Sequence, residues 1–151
     1  MPRPPRIQLA GGIYHITSRG NRRQPIYVDD DDRRWFSMLR HQVIQRCGWR
    51  LHGYCLMTNH FHLLVETPEP NLSSGMQRLK SGYAAYFNER YSLVGHLFEQ
   101  RFGSRLIETE EHHQDALRYI ALNPVKAGLC AHPAEWPWSS FYGVLDFVFD
   151  S

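Results

Sequence analysis

The sequence predicts an α+β domain of the ferredoxin-like kind, a βαββαβ antiparallel sheet with two helices on one face and an added C-terminal helix that carries a tyrosine. The first observation behind this prediction is the order of hydrophobic periods, which alternates between the strand period and the helix period along the chain. The second is the length of 151 residues with 42% hydrophobic residues. This size suits a single domain over 1–151.

The first half of the chain supplies a strand and a long helix. The β-branched segment Ile13–Ser18 predicts the first strand, and the turn-forming residues of Arg19–Pro25 predict the loop after it. The four aspartates 29–32 begin a helical pattern that reaches about Cys47. Acidic residues in a first helical turn complement the positive end of the helix dipole, so the aspartates need not form a metal site.

A β-hairpin and a second helix follow. The hairpin joins strands over Arg50–Met57 and His60–Glu66 by a tight turn at Thr58-Asn59. We expect the rings of the second helix to pack in the core rather than to stack on bases. Its apolar side chains recur every three or four residues, the helical period: Leu72, Met76, Leu79, Tyr83, Phe87 and Tyr91.

The last third of the chain completes the predicted sheet and adds the third helix. Residues Arg101–Glu108 read as the fourth strand, and a helix runs from about Glu110 to Leu122, because Pro124 disfavours its continuation. The aromatic tail over 129–151 is expected to pack back onto the domain. The Pro- and Gly-rich residues 1–12 are expected to form a flexible arm.

Charge is unevenly distributed along the chain, although the net charge is only +2. Residues 1–50 hold ten arginines and four aspartates, whereas 51–151 hold seven basic and eleven acidic residues. Arginine suits bidentate phosphate contacts and stacks on bases better than lysine does. A solvated surface explains the same composition, so the case for nucleic acid depends on a site.

The sequence carries no signal for a membrane or for secretion. No uninterrupted apolar stretch approaches the roughly 18 residues that a membrane helix needs. The basic residues at the start have no apolar segment behind them, as a secretory signal requires. We therefore expect a cytoplasmic protein without a membrane partner.

The segment Asn59–Val65 holds the most informative residues. Alternate residues of a strand share a face, so Phe61, Leu63 and Val65 should point into the core while His60 and His62 point away from it. Two imidazoles on one face, about 7 Å apart along the strand, can converge on one metal ion. Two partly exposed histidines on a solvated face remain the alternative.

The last helix offers a second polar group of residues. Tyr119 and Asn123 are four residues apart and share a helix face, and His112 and Asp115 extend the same polar stripe. A tyrosine brought to a two-histidine metal site would be a nucleophile activated by the metal or by a base. Alternatively, Tyr119 packs with its hydroxyl at the surface, and Asn123 caps a short helix that starts at Pro124.

Five segments in order resemble the REP-associated tyrosine transposases, single-tyrosine members of the HUH endonuclease superfamily, which is named for a His-hydrophobe-His motif. The likeness covers nearly the whole chain, which makes it far more specific than one His-x-His. The segments are YHITSRGNR at 14–22, GYCLMTNHFH at 53–62, GHLFEQRF at 95–102, RYIALNPVKAG at 118–128 and WPWSS at 136–140.

The resemblance implies a role for each matching residue. His60 and His62 match the metal ligands of the family, and Tyr119 matches the catalytic tyrosine. Asn123 stands one helical turn after the tyrosine, where the superfamily places a third ligand. One departure is Thr58, because the family usually has proline there; this change removes no chemical group.

The resemblance also implies a cofactor and a reaction. Two imidazoles and an amide oxygen suit a divalent ion, Mg²⁺ or Mn²⁺, and would also accept Zn²⁺. Tyr119 would attack a phosphorus in single-stranded DNA, giving a 5′-phosphotyrosine link and a free 3′-hydroxyl. A new 3′-hydroxyl could then reverse the step, so that the reaction is strand transfer rather than hydrolysis.

The implied partner is single-stranded DNA folded as a hairpin of the REP palindrome type. His15 and Asp115 are secondary candidates, and a packed strand histidine is the alternative for His15. The resemblance implies a monomer, with a dimer that exchanges the tyrosine helix as the alternative. The candidate DNA contacts are Arg19, Asn21, Arg22 and Arg23 in the loop after the first strand, with Arg101 and Lys80 elsewhere.

Three other functions fit parts of the pattern. A metal-dependent phosphodiesterase would use His60, His62 and either Asn123 or Asp115 to activate water and would form no covalent adduct. A domesticated transposase would bind the hairpin without cutting it. An RNA-binding domain would expose aromatic side chains on its central strands, whereas Phe61 is expected to face the core.

Overall fold

The computed structural model describes residues 8–99 and 101–145. Its four strands form one antiparallel sheet in the order β2-β3-β1-β4, which confirms the predicted fold class. The elements are β1 (Gly12–Arg19), α1 (Asp30–Cys47), β2 (Arg50–Leu56), β3 (His60–Thr67), α2 (Leu72–Arg90), β4 (Gly103–Leu106) and α3 (Glu110–Lys126), with short 3₁₀ turns at Asn21–Arg23 and Pro133–Glu135.

The main core lies between the sheet and the pair α1 and α2. Phe61, Leu63 and Val65 of β3 are buried in it, as their alternation in the strand predicts. Phe36 of α1 packs on Phe61 with 4.8 Å between the ring centres. Because Phe61 is fully buried, it offers no surface on which a base could stack.

The aspartate run is part of the start of α1. Asp29 caps the helix by accepting a hydrogen bond from the backbone N–H of Asp32. Asp32 itself is fully buried, and Arg90 at the end of α2 bonds to both carboxylates. Asp29, Asp32 and Arg90 therefore join α1 to α2. This agrees with the interpretation of the aspartates as structural rather than metal-binding.

Helix α3 covers the opposite face of the sheet. Ala116, Ile120 and Ala121 form a second, smaller core with Leu64 of β3 and Cys55 of β2. The face that carries His60 and His62 is therefore partly roofed by a helix rather than fully solvated. This arrangement brings side chains of α3 directly over the two histidines.

Two predicted element boundaries are wrong. Helix α3 continues through Pro124 to Lys126 instead of ending near Leu122. A proline lacks one N–H, but burial of its ring and the later bonds of the last turn, such as Ala127 N–H to the Asn123 carbonyl, offset that loss. Strand β4 covers only Gly103–Leu106 rather than Arg101–Glu108, because its ladder with β1 spans four residue pairs.

The described residues nearest to each end of the chain are hydrogen-bonded to the sheet. Residues 8–12 are hydrogen-bonded rather than loosely held, for example from Gly11 N–H to the Thr67 carbonyl, and the rest of the predicted arm lies outside the described residues. In the tail, Trp136 donates its indole N–H to the Leu56 carbonyl, and Ser139 forms an isolated antiparallel β-bridge with Cys55. Residues 146–151 of the tail also lie outside the described part.

Within 8–99 and 101–145, no helix has both the length and the apolar character needed to cross a bilayer.

Candidate active site

Strand β3 presents two histidines to the α3 side of the sheet. His60 and His62 are alternate residues of the strand, and their ring centres lie 5.0 Å apart. Their neighbours across the sheet are Arg19 and Thr17 of β1. The pair thus lies at the end of β3 that follows the hairpin turn, beside the loop that leaves β1.

Helix α3 adds a tyrosine and an amide to this pair. The Oδ1 atom of Asn123 lies 3.3 Å from Nε2 of His60. One turn earlier, the Tyr119 ring packs edge-on against His62 with 5.6 Å between the ring centres. Tyr119 is nevertheless 48% exposed, so its side chain remains open to a ligand.

The turn residue Asn59 fixes the orientation of the His60 ring. Its Oδ1 atom lies 2.7 Å from His60 Nδ1, while its Nδ2 group donates to the Arg23 carbonyl. Since Nδ2 is engaged in this way, the oxygen faces His60, and His60 Nδ1 must be the donor. A neutral His60 then directs the lone pair of Nε2 toward the oxygen of Asn123.

The His62 ring has a different hydrogen-bond partner. Its Nδ1 atom lies 3.1 Å from Nε2 of His15, which stands on β1. Its Nε2 atom is buried and has no hydrogen-bond partner among residues 8–99 and 101–145. The Asn123 amide also interacts with this ring. His60 therefore points Nε2 toward Asn123, and the same amide lies close enough to His62 to affect its pKa.

Burial keeps these imidazoles neutral. It lowers the pKa of His62 to about 3 and the pKa of His15 to about 4, and it lowers the pKa of His60 as well. The neutral imidazole is the form that binds a metal through a ring nitrogen. The site is thus ready to coordinate a cation near neutral pH.

The donor set fits a divalent cation. Two imidazole rings and the amide of Asn123 lie together, and the amide oxygen is 3.3 Å from Nε2 of His60. Metal-bound histidines commonly have their other ring nitrogen held by a neighbouring group, as both have here. In the described chain, no group of three or more His, Cys, Asp or Glu residues could hold a metal, so a metal bound here would need a ligand of another type, such as the amide.

A cleft of about 620 Å³ opens over the two histidines and the tyrosine. A second cleft of about 440 Å³ lies on the other side of Tyr119. Thr17 and Tyr119 line both clefts, so the two clefts adjoin at the tyrosine. The remaining residues include Arg19, Arg101 and Phe102 in the first cleft and His15, Arg105, His112 and Asp115 in the second.

Comparison with known proteins identifies the family. The sequence profile of the IS200-like transposases matches residues 9–123, about three quarters of the chain. The chain belongs to the IS200-like transposase family. The match spans the histidine pair, the tyrosine and Asn123, and it confirms the enzyme class that the sequence motifs indicate.

Individual relatives agree with this assignment. A Haemophilus influenzae protein assigned as a REP-associated tyrosine transposase is 28% identical over 144 residues, covering 87% of this chain and 81% of that protein. The REP-associated tyrosine transposase of Escherichia coli is 23% identical, covering 91% and 81%. These names confirm the resemblance found in the five sequence segments.

A solved structure shares the fold. A REP-associated tyrosine transposase bound to a REP hairpin superimposes with a TM-score of 0.80 over 100% of this chain and 91% of that one, at 20% identity. The similarity extends across the sheet, the three helices and the described part of the tail. This chain therefore shares the fold of that transposase, although most of the aligned residues differ.

The residues proposed to contact DNA fall into separate places. Arg19 and Arg101 line the first cleft, next to Tyr119. Asn21 and Arg22 line a third cleft of about 300 Å³ beside residues 93–97, and Arg23 is exposed and lines none of these three clefts. Lys80 of α2 lines neither the first nor the second cleft and donates to the Glu99 carbonyl. Asp115 lies in the second cleft and pairs with Arg118 at 3.1 Å.

Three further residues at the site were not predicted from the sequence. Asn59 orients His60, the ammonium of Lys126 lies 5.7 Å from the centre of the Tyr119 ring, and Arg105 lines the second cleft. The i, i+7 spacing of Tyr119 and Lys126 on one helix was a usable signal. The position of Arg105 beside the site depends on the pairing of β4 with β1, for which the sequence offers no local signal.

Proposed function

We propose that this transposase cleaves and rejoins single-stranded DNA next to REP-type hairpins through a 5′-phosphotyrosine intermediate. The observation that carries the proposal is the convergence of Tyr119 with His60 and His62 in one cleft that Arg19 and Arg101 also line, with Asn123 beside His60. An accessible tyrosine beside a cation-binding donor set is the arrangement that phosphoryl transfer to a side chain requires. The REP hairpin bound by the structural relative supports the choice of substrate.

His60, His62 and Asn123 would hold a divalent ion, Mg²⁺ or Mn²⁺, with Zn²⁺ also compatible with the ligand set. When bound, such an ion supplies Lewis acidity that polarises a phosphate oxygen. The low pKa values of the two histidines favour the neutral rings that such an ion requires. Arg19 and Arg101 line the same cleft and can neutralise the flanking phosphates.

In the cleavage step, the Tyr119 oxygen forms a bond to phosphorus and the bond from phosphorus to the 3′-oxygen breaks. The phenol loses one proton, and the departing 3′-oxygen gains one to become a hydroxyl. The reverse step with a different 3′-hydroxyl joins a new strand and restores the tyrosine.

A denaturing gel tests this reaction. Purified protein is incubated with Mn²⁺ and end-labelled single-stranded hairpins that carry a short unpaired flank. We expect a labelled band that migrates with the protein, is absent with Tyr119→Phe and is abolished by a chelator. Tyr142→Phe is the matched control, because Tyr142 is also exposed but lies in the tail away from both clefts.

The other outcomes separate the competing functions. Cleaved DNA without a protein adduct would instead support a water-activating phosphodiesterase. A retarded but uncut hairpin on a native gel would support a domesticated binding protein. Either result would overturn the phosphotyrosine mechanism.

We also propose that the chain acts as a monomer. Helix α3 places Tyr119 over the His60 and His62 of its own chain, so the site needs no residue from a second copy. Mixing Tyr119→Phe with His60→Ala protein should therefore fail to restore the adduct. Restored cleavage would demonstrate a dimer that exchanges the tyrosine helix.

A further inference from the structure

We infer that His15 is a positioning residue, which holds His62 in the tautomer and orientation that direct its Nε2 atom toward the site. This inference deepens the metal-dependent function proposed above and rests on it. It also changes the interpretation of His15, for which a packed strand histidine was the simpler expectation.

The contact between the two rings is a hydrogen bond between neighbouring strands. Nε2 of His15 lies 3.1 Å from Nδ1 of His62, with 5.3 Å between the ring centres. On β1, His15 is two residues from Thr17, the cross-strand partner of His62, so both side chains project from the same face. The bond therefore follows from the register of the central strand pair.

Only one proton can occupy this hydrogen bond. If His62 donates from Nδ1, a neutral His62 has a free lone pair on Nε2, as a metal ligand needs. If His15 donates instead, the His62 proton moves to Nε2 and blocks that position. An acceptor at the place of His15 Nε2 thus selects the ligand form of His62.

The arrangement at His62 parallels that at His60 with a different chemical group. Asn59 accepts from Nδ1 of His60, and its own amide is anchored by the Arg23 carbonyl. His15 occupies the equivalent place beside Nδ1 of His62. Partners of this kind typically change metal affinity or activity by about 10- to 100-fold when they are removed.

His15 also forms part of the wall around the nucleophile. Its ring meets the Tyr119 ring edge-on, with 5.8 Å between their centres. A variant must therefore preserve this packing if the hydrogen bond is to be tested alone. His15→Leu introduces an apolar side chain of similar reach that has no hydrogen-bond acceptor. His15→Gln can place an amide oxygen near the position of Nε2.

The first readout is the tautomer of His62 in the full-length, metal-free protein, measured by long-range ¹H–¹⁵N NMR of the imidazoles. We expect the Nδ1-protonated form in the wild type and in His15→Gln, and a shift toward the Nε2-protonated form in His15→Leu. A wild-type His62 protonated at Nε2 would overturn the inference. This readout requires neither metal nor DNA, so it remains decisive if the proposed cleavage fails.

The second readout is Mn²⁺ binding to the same proteins, measured by electron paramagnetic resonance of the free ion. We expect affinity to fall about 10- to 100-fold in His15→Leu and to recover in His15→Gln. His41→Leu, which removes an exposed histidine of α1, should bind like the wild type. Unchanged Mn²⁺ affinity in a folded His15→Leu protein would also refute the positioning role.

Discussion

Asn123 Oδ1 and His60 Nε2 lie 3.3 Å apart, although the two residues are 63 positions apart in the chain and belong to different layers. Each atom offers a lone pair when His60 donates from Nδ1 to Asn59. Two facing acceptors repel each other unless a proton or a cation lies between them. This contact is the basis on which we propose that α3 supplies a metal ligand.

Asn123 should therefore determine metal affinity. We expect Asn123→Ala to raise the Mn²⁺ concentration for half-maximal binding on the order of tenfold, because one oxygen ligand is lost. Asn123→Asp should keep or strengthen binding, since an ionised carboxylate is a better ligand for a hard cation. Titration of the free ion by electron paramagnetic resonance measures both effects.

Gln114→Ala is the matched control for the loss of an amide from the same helix. Gln114 is exposed, and its amide bonds only within the helix turn, to Glu110. Its variant should bind Mn²⁺ as the wild type does. If Asn123→Ala were also indistinguishable from the wild type, the amide would not be a ligand.

Arg19 and Arg101 should contribute to DNA binding in a way that Lys80 does not. Each arginine lines the cleft beside Tyr119, so its replacement by alanine should weaken binding of single-stranded hairpins and reduce the salt slope by about one phosphate contact. Lys80→Ala should leave the slope unchanged, because this ammonium bonds to the Glu99 carbonyl and lies over the Phe98 ring. Fluorescence anisotropy over a salt series gives the slopes. Equal slopes for all three variants would contradict this division.

The sequence was sufficient for the features that depend on local periodicity. Alternation along β3 correctly placed Phe61 in the core and the two histidines on the opposite face. The spacing of four residues correctly placed Tyr119 and Asn123 on one side of α3. Both are consequences of backbone geometry within one element, and they hold whatever the rest of the chain does.

Features that depend on long-range pairing could not be predicted in the same way. The contact of His15 with His62 needs the register of β1 on β3, which only the folded sheet defines. The loop arginines diverge because Arg22 and Arg23 adopt left-handed backbone conformations, with φ values of 58° and 60°. Pro124 was misread because its buried ring stabilises a helix that the local rule would end.

The neighbouring histidines His112 and His113 should differ in their effect on stability. His113 Nε2 lies 2.9 Å from His52 Nδ1, and the other nitrogen of His52 bonds to Glu66, so this chain ties the first turn of α3 to the sheet. His113→Ala should cost about 1–3 kcal/mol, because a half-buried partner is left without its hydrogen bond. His112→Ala, at the second cleft, should have little effect. Urea unfolding of both variants measures the difference, and equal losses would show that this bond does not anchor α3.

The buried Asp32 should make stability depend on acidic pH. Burial alone raises the pKa of its carboxyl, but the hydrogen bonds that it accepts, from Tyr91 foremost, lower the pKa below its ordinary value. The donors are Tyr91, the backbone N–H of Val28, Tyr86 and Arg90.

Because the folded pKa is depressed, the stabilisation is fully present above the ordinary carboxyl pKa of about 4 and is lost as pH falls through the folded value. Asp32→Asn should therefore lose about 1–3 kcal/mol at pH 7, because Arg90 keeps its pair with Asp29 while the donors around Asp32 lose their charged acceptor. The difference from the wild type should shrink steadily below about pH 4, where the wild-type carboxyl also becomes neutral. Asp31→Asn is the control, because its pair with Arg34 is solvent-exposed and should contribute less than about 1 kcal/mol. Denaturant unfolding from pH 2.5 to 7 tests this, and a constant gap between Asp32→Asn and the wild type over that range would show that the carboxylate charge does not stabilise the junction of the two helices.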